Sequence, residues 1–221
     1  MTPLDTFCCS RSALRARGFH SPLAALGFAT TSRSLPPPAG AAAPQPPEFL
    51  LVGLGNPGER YAHTRHNAGA LALAQLVADQ PDAWGAWTKS DGAEVALGVM
   101  GEPARWVAAA LPQSFMNLSG SSVRALARRL GLPAERVIVL HDDLDLPPGK
   151  VKVKSGGSSG GHRGVSSCEQ KLQRPFWRVR LGIGRPAERA QVADFVLEQV
   201  RACLTARGWE ASLRAVWTGW A

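Results

Sequence analysis

Short apolar runs, each followed by a turn rich in glycine or proline, recur along the chain from residue 49. The run FLLVGL over 49–54 leads into a glycine-rich turn, and VIVL over 137–140 leads into HDDLDLPPG. Continuous apolar runs of this length are typical of strands, and VIVL is typical of a buried parallel strand. Ala93 to Met100 and Arg105 to Leu111 predict a strand pair joined by Gly-Glu-Pro.

Helical patterns fall between these runs. Asn67 is placed to cap a helix over AGALALAQLVADQ, which stops at Pro81. Ser119 is placed to cap a helix over SSVRALARRL, which Gly131 ends. Strands alternating with helices indicate an α/β domain. The remaining predicted elements are an edge strand KVKVKS, a strand WRVRLGIG, and two helices, VSSCEQKLQ and DFVLEQVRACLTA.

The first 48 residues differ in composition from the rest, because they are rich in Ala, Ser and Pro. They contain four Arg, no Lys and two acidic residues, which is typical of an organelle transit peptide. Ser10 to Leu26 can form a basic amphipathic helix, and the Pro-rich run from Leu35 to Pro47 predicts an extended linker. We expect 1–48 to be a transit peptide or a disordered leader, and 49–221 to be one folded domain. The expected subcellular location is the mitochondrion, with the chloroplast and the cytoplasm as alternatives.

The charge of the chain suggests an anionic partner. The net charge is +8, and removing the four Arg and two acids of the leader leaves 21 basic against 15 acidic residues. Nucleic acid is the leading candidate for such a basic domain, although a merely basic surface is common. The four cysteines show no metal-ligand spacing, so we expect no metal and a reducing compartment. No apolar run reaches ~18 residues, so no membrane span is expected.

One alternative concerns the first glycine turn. Gly53, Gly55 and Gly58 spell G-x-G-x-x-G after a strand, and Asp79 lies further on, as in dinucleotide-binding folds. In those folds a helix opens on the turn itself and holds the pyrophosphate. Here Pro57 removes an N–H, and GERYAHTR separates the turn from the next helical pattern. The sequence therefore argues against a dinucleotide site.

Polar side chains able to do chemistry lie in loops that follow a strand or open a helix. They are Asn56, His66, Asn117, Asp142 and His162. Loops at strand ends are where α/β folds collect their sites. An imidazole that takes a proton from water, a carboxylate that orients it, and two carboxamides that hold a developing oxyanion can together hydrolyse an ester.

Each of these residues also has an ordinary structural explanation, since a lone His or Asn in a loop usually serves a turn or a cap. Asp142, Asp143 and Asp145 could form a calcium loop, but the ligand spacing and terminal Glu of an EF-hand are missing. His63 and His141 are interpreted as structural. No G-x-S-x-G motif is present, which argues against a serine nucleophile.

Five motifs together resemble the bacterial-type peptidyl-tRNA hydrolase family over about residues 49–200. They are VGLGNPGERYAHTRHNAG, LPQSFMNLSG, HDDLDLPPG, GGHRG and RLGIGRP, in the family's order and spacing. The resemblance implies a single α/β domain with a twisted mixed β-sheet flanked by helices. It also implies hydrolysis of the ester between a stalled peptide and tRNA, with peptidyl-tRNA as partner and without metal or cofactor. We expect a monomer.

The resemblance also implies roles by position. His66 matches the base that activates water, Asp142 the carboxylate that assists it, and Asn56 and Asn117 the amides that hold the substrate. The implied substrate-binding and tRNA-binding residues are Tyr61, Met116, His162, Lys152, Lys154 and Arg180.

Two departures from the family pattern stand out. Arg163 replaces the Asn of the family's GGHNG, which adds a positive charge and removes an acceptor. The tail carries Trp209, Trp217 and Trp220 where the family usually has a further helix. A second class of function is an organellar intron-splicing factor of the same fold, which binds RNA and is not mainly a hydrolase.

Overall fold

The computed structural model describes residues 46–101 and 103–199. The basic part of the predicted leader and the tryptophan-containing tail lie outside these described residues. The described strands, all in one sheet, are β1 Phe49–Gly53, β2 Thr88–Ser90, β3 Ala93–Met100, β4 Arg105–Pro112, β5 Val137–Asp143, β6 Val151–Ser155 and β7 Trp177–Gly182. The described α-helices are α1 Ala68–Ala78, α2 Ser119–Arg129, α3 Arg163–Leu172 and α4 Val192–Leu197.

The sheet is mixed, with the order β2-β3-β4-β1-β5-β7-β6. The four central strands β4, β1, β5 and β7 are parallel, and the outer strands pair antiparallel with their neighbours. After β1 the chain continues to β4 on one side, then crosses to β5 on the other. The carboxyl ends of β1 and β5 therefore flank a topological switch point, where open α/β sheets place their ligands.

Each face of the sheet carries its own apolar layer, because neighbouring residues of a strand point to opposite faces. Leu51 and Ile138 pack with Leu73 of α1 on one face. Leu50 and Val139 pack with Leu126 of α2 and with α3 on the other face. Burial on both faces explains why the central strands read as continuous apolar runs.

Two glycines allow helices to approach their neighbours closely. A Cβ on Gly69 of α1 would lie 2.1 Å from the carbonyl oxygen of Leu140 in β5. A Cβ on Gly120 of α2 would lie 2.1 Å from the carbonyl oxygen of Ser167 in α3. A side chain at either position would force the two backbones apart. α1 therefore rests directly on β5, and α2 directly on α3.

Most predicted elements are confirmed, including the strand pair, the buried parallel strand, the edge strand and the stop at Gly131, whose φ is +68°. The short strand β2 has no counterpart in the prediction. The predicted side-chain caps of Asn67 and Ser119 are wrong, because neither makes a cap hydrogen bond. Asn67 instead binds the backbone of Asn56. Ser119 lies inside the first turn of α2, after a short 3-10 turn.

The region after the glycine turn argues against a dinucleotide site, as the sequence did. Residues 65–67 form a 3-10 turn, and α1 begins only at Ala68. Asp79 caps the end of that helix. In the described part of the chain, no helix is long and apolar enough to span a bilayer.

The last predicted helix, over 194–206, lies only partly within the described residues, because 200–206 fall outside them. Within the described part the predicted extent is wrong, because the helix begins earlier, at Val192, and ends at Leu197. Glu198 is extended, with φ −69° and ψ 152°, and Gln199 forms an antiparallel bridge with Thr64. Contact with the turn around Thr64 therefore overrides the helical pattern at this point.

Candidate functional site

The polar residues predicted from the sequence meet at the switch point between β1 and β5. Asn56 follows β1, His66 lies in the 3-10 turn before α1, and Asp142 lies near the end of β5. His162 immediately precedes α3, and Asn117 lies in the loop between β4 and α2. Five separate segments thus contribute to one site.

A hydrogen bond joins His66 to Asp142. The distance from His66 Nδ1 to Asp142 Oδ1 is 2.9 Å. Burial alone would raise the pKa of Asp142, but the charges and hydrogen bonds of His162 and His66 together outweigh burial, so the pKa lies well below the ordinary carboxyl value. Asp142 is therefore ionised and accepts the N–H of His66 Nδ1. The His66 imidazole then carries a lone pair on Nε2, and the His66 side chain is 15% exposed.

His162 holds the same carboxylate oxygen from a second side. Its Nε2 lies 2.8 Å from Asp142 Oδ1, and its Nδ1 accepts the backbone N–H groups of Gly164 and Val165 at 3.1 and 3.2 Å. Backbone N–H groups can only donate, so Nδ1 has a lone pair and the proton is on Nε2. His162 is therefore fixed as the Nε2–H tautomer, which donates to Asp142 and caps α3.

This contact of His162 was not expected from the sequence, which placed His162 only in the substrate loop. Its position just before a helical pattern was a signal, but Ser, Thr, Asp and Asn are the usual cap residues. The distance to Asp142 depends on tertiary structure and has no local signal.

His66, Asp142 and His162 each offer one atom that could bind a metal ion, and these three atoms lie within 4.8 Å of one another. Among the described residues they are the set with such spacing. A cation on His162 Nε2 would displace its proton to Nδ1. The two backbone N–H groups that cap α3 would then lose their acceptor. The hydrogen-bond pattern thus fits a proton network better than a metal centre, and independence from metal stays a prediction.

Asn56 links the turn after β1 to two other segments. Its backbone N–H and carbonyl bind the side chain of Asn67 at 2.8 and 2.9 Å. Its own carboxamide oxygen accepts the backbone N–H of Met116 at 2.8 Å. Because that oxygen is engaged, the Nδ2 amino group is the part of Asn56 suited to donate to a substrate.

An open polar cleft lies at the start of α3, lined in part by Gly161 and Arg163 on either side of His162. Asn117 and Arg163 are both exposed and face this cleft from opposite segments. Its other lining residues include Ser159, Gly161, Ser166 and Gln170. The cleft thus combines a carboxamide with a cation at the N-terminal end of a helix.

Apolar side chains lie on the loop before Asn117. Phe115 and Leu118 are 56% and 53% exposed, and the Phe115 ring meets that of Tyr61 edge-on at 6.5 Å. Met116, predicted to lie against the peptide, is only 4% exposed and packs in the core beneath Gly164. The apolar surface that this loop presents is therefore mainly that of Phe115 and Leu118.

The basic residues predicted to contact tRNA lie at the far edge of the sheet. Lys152 and Lys154 are exposed on β6, and Lys152 is opposite Arg180 of β7. The Nε of Arg180 donates to Asp143 at 2.6 Å. Burial would raise the pKa of Asp143, but the hydrogen bonds from Arg180 and from the Asp145 backbone N–H, together with the charge of Arg180, outweigh burial and lower the pKa. Arg180 is thus partly committed to an internal ion pair, while the two lysines are exposed.

A buried guanidinium shapes the glycine loop that precedes α3. Arg178, 3% exposed, donates to the carbonyl oxygens of Ser158 and Gly157 and pairs with Glu169. Asp145, the third aspartate of the possible calcium loop, instead pairs with Arg185. Asp143 and Asp145 thus each have an arginine partner, Arg180 and Arg185.

His141 is buried next to Asp142, and His63 is exposed. His141 Nδ1 donates to the carbonyl oxygen of Asp142 at 2.7 Å. Burial first, and then the nearby His162, lower the pKa of His141 from 6.5 to about 3, although Asp142 and Asp143 act in the opposite direction. The structural role predicted for His141 agrees with this position.

The titration of His141 predicts a loss of stability in acid. The unfolded chain binds a proton on this imidazole below about pH 6.5, whereas the folded chain does not until about pH 3. The free energy of unfolding should therefore fall with decreasing pH in that window, by up to ~1.4 kcal/mol per pH unit from this group. Denaturant unfolding should show a shallower pH dependence in His141→Asn, because Asn does not bind a proton in this range, while it keeps a donor for the Asp142 carbonyl. An unchanged slope would contradict the assignment, and His63→Asn is the control.

Comparisons with known proteins agree with this geometry. The family model for peptidyl-tRNA hydrolase matches residues 50–217, beyond residue 200 where the motif resemblance ends. A peptidyl-tRNA hydrolase of Nitrosomonas europaea is 44% identical over 156 residues, which cover 70% of this chain and 78% of that protein. One of Tolumonas auensis is 46% identical over 153 residues, covering 68% and 76%. The crystal structure of peptidyl-tRNA hydrolase from Acinetobacter baumannii superposes with a TM-score of 0.67 at 30% identity, covering 78% of this chain and 86% of that one.

Proposed function

Because the chain belongs to the peptidyl-tRNA hydrolase family, we propose that it hydrolyses the ester between peptide and tRNA and releases both. The observation that carries the proposal is the hydrogen bond of His66 to the buried, ionised Asp142 at the switch point of the sheet. This pair supplies a base with a free Nε2 lone pair, which ester hydrolysis by water requires.

In the proposed mechanism His66 Nε2 takes a proton from water as the water attacks the ester carbonyl. The imidazolium that forms is stabilised by Asp142, whose charge is held in place by His162. Proton transfer from His66 to the leaving 3′ oxygen of tRNA then completes the reaction, so the base is restored. Each step uses only groups that lie within the site.

Two carboxamides support the oxyanion and the substrate. The Asn56 amino group is suited to donate to the carbonyl oxygen as charge develops on it. Asn117 faces the cleft next to Arg163, where it can hold the 3′ end of the tRNA. Phe115, Leu118 and Tyr61 supply an apolar surface for the peptide.

The direct test is turnover of peptidyl-tRNA by the purified protein, with and without a chelator and with His66→Ala as the inactive control. Release of free tRNA that depends on His66 and is unaffected by the chelator is expected. Binding of tRNA without turnover would overturn the hydrolase proposal and favour the RNA-binding splicing factor. Delivery to the mitochondrion is proposed from leader composition alone.

Lys152 and Lys154 are proposed to bind tRNA phosphates rather than to act in chemistry. Each phosphate contact releases about 0.7 to 0.9 counterion, so KM should rise steeply with salt. The double variant Lys152→Gln, Lys154→Gln should raise KM, reduce the slope of log KM against log salt by about 1 to 2, and leave kcat unchanged. Steady-state kinetics over a salt series measure this. Lys89→Gln, on the opposite edge strand, is the matched control; an unchanged slope in the double variant would remove these lysines from the tRNA surface.

Arg163 is proposed to strengthen contact with the RNA backbone. It is exposed at the first position of α3, and the family has Asn there. Arg163→Asn should weaken tRNA binding modestly, reduce the salt slope by about 1, and leave kcat similar or higher. Arg163→Lys keeps the charge and should keep the slope. A large fall in kcat in Arg163→Asn would place Arg163 in the chemical step and contradict this assignment.

A further inference from the structure

Arg65, the residue before His66, is a buried cation whose side chain contacts Phe195 and Glu198, neither of which lines the cleft. Its side chain is 9% exposed, and Arg65 NH1 donates to the carbonyl oxygen of Phe195 at 2.8 Å and to Glu198 at 2.6 Å. Its guanidinium carbon lies 4.1 Å from the centre of the Phe195 ring. A buried guanidinium is costly without such partners, so its position is well defined.

The backbone on both sides is joined in the same way. The Arg65 N–H donates to the carbonyl oxygen of Glu198 at 3.0 Å, and Thr64 forms an antiparallel bridge with Gln199. These contacts interrupt the helical pattern of the segment, which becomes extended at Glu198. The segment 192–199 is thus fastened to the turn through backbone, charge and ring contacts.

Three consecutive residues of the turn hold three different elements. Arg65 holds the segment 192–199, His66 holds Asp142 of β5, and Asn67 holds the turn after β1 through Asn56. The direction of the His66 ring is therefore set between two flanking anchors. Of these, the Asn67 anchor belongs to the core of the site, whereas the Arg65 anchor comes from a segment that contributes no group to the cleft.

We propose that Arg65 is a positioning residue for the hydrolysis, which aims His66 at Asp142 and at the attacking water by tying the turn to the segment 192–199. The inference rests on the proposed function. Loss of the anchor lets the turn shift without removing any group that touches substrate. The effect therefore falls on kcat, because a small misplacement of a catalytic group can cost up to about 10²-fold in rate.

The test compares Arg65→Met, which keeps much of the aliphatic length and removes all donors, with Arg65→Lys, which keeps the charge and one donor group. For Arg65→Met we expect kcat to fall roughly 10-fold to 10²-fold with KM within about 2-fold of wild type. Arg65→Lys should recover part of kcat. Arg105→Met, which removes an ion pair with Glu48 at the amino-terminal end of the central strand β4, is the matched control and should keep full kcat.

The outcomes separate this inference from the proposed function. Wild-type protein that does not release tRNA refutes the function itself. Wild-type turnover together with full kcat in folded Arg65→Met, or in Arg65→Lys if the former does not fold, refutes the positioning role alone. A change in KM without a change in kcat, or an equal loss in Arg105→Met, also refutes it. Thermal unfolding of each variant identifies those that are folded.

Discussion

Replacing His66 by alanine is expected to lower kcat for peptidyl-tRNA hydrolysis by ~10²-fold to 10⁴-fold, the usual contribution of a general base. The imidazole is the group at the switch point with a lone pair directed away from its carboxylate partner. Its removal leaves water to attack without transfer of its proton. KM should change little, because the proposed phosphate contacts lie on other elements.

The measurement is steady-state or single-turnover release of tRNA, with circular dichroism to establish folding. His63→Ala is the matched control, because that histidine lies three residues earlier and is exposed. Near-full hydrolysis by folded His66→Ala would show that another group is the base, and the mechanism would have to be abandoned.

Replacing Asp142 by asparagine is expected to lower kcat by ~10²-fold or more. The substitution keeps the shape but removes the charge that offsets the imidazolium of His66. In the wild-type protein one carboxylate oxygen of Asp142 accepts N–H groups from both His66 and His162. The amino group of asparagine can turn towards His66 and favour the wrong tautomer, with its proton on Nε2.

Asp145→Asn is the matched control, because its side chain is 63% exposed and pairs with Arg185 at the surface. That variant should keep its rate. If Asp142→Asn retained more than about a third of wild-type kcat, Asp142 would be a structural residue rather than part of the catalytic pair.

The sequence predicted the parts of the fold that local pattern determines. VIVL could be placed in the sheet centre because a strand buried on both faces has no polar positions. KVKVKS could be placed at an edge because its lysines need solvent. The pairing of His66 with Asp142 could be expected because His66 comes after β1 and Asp142 lies at the end of β5, and the carboxyl ends of these two strands meet at one edge of the sheet. The contacts themselves are seen only in the structure.

Features that depend on contacts distant in sequence could not be predicted. Asn67 is a reasonable cap by type, but it is drawn to the Asn56 backbone eleven residues earlier. His162 has two partners, one local and one twenty residues away. The helical pattern after Leu197 is interrupted by the turn at Thr64 and Arg65, over 130 residues distant for Arg65 and Glu198. In each case tertiary contact outweighs local preference.

The close approach of Gly69 to Leu140 bears on how this protein can change over evolution. Gly69 lies three residues after His66, and Leu140 lies two residues before Asp142, so the base and its carboxylate are borne on backbones in direct contact. No deformable side chain lies between them at this point. A residue larger than glycine at position 69 would push α1 away from β5 and so change the spacing of the base and its carboxylate, which makes this position a direct constraint on how the active site can evolve.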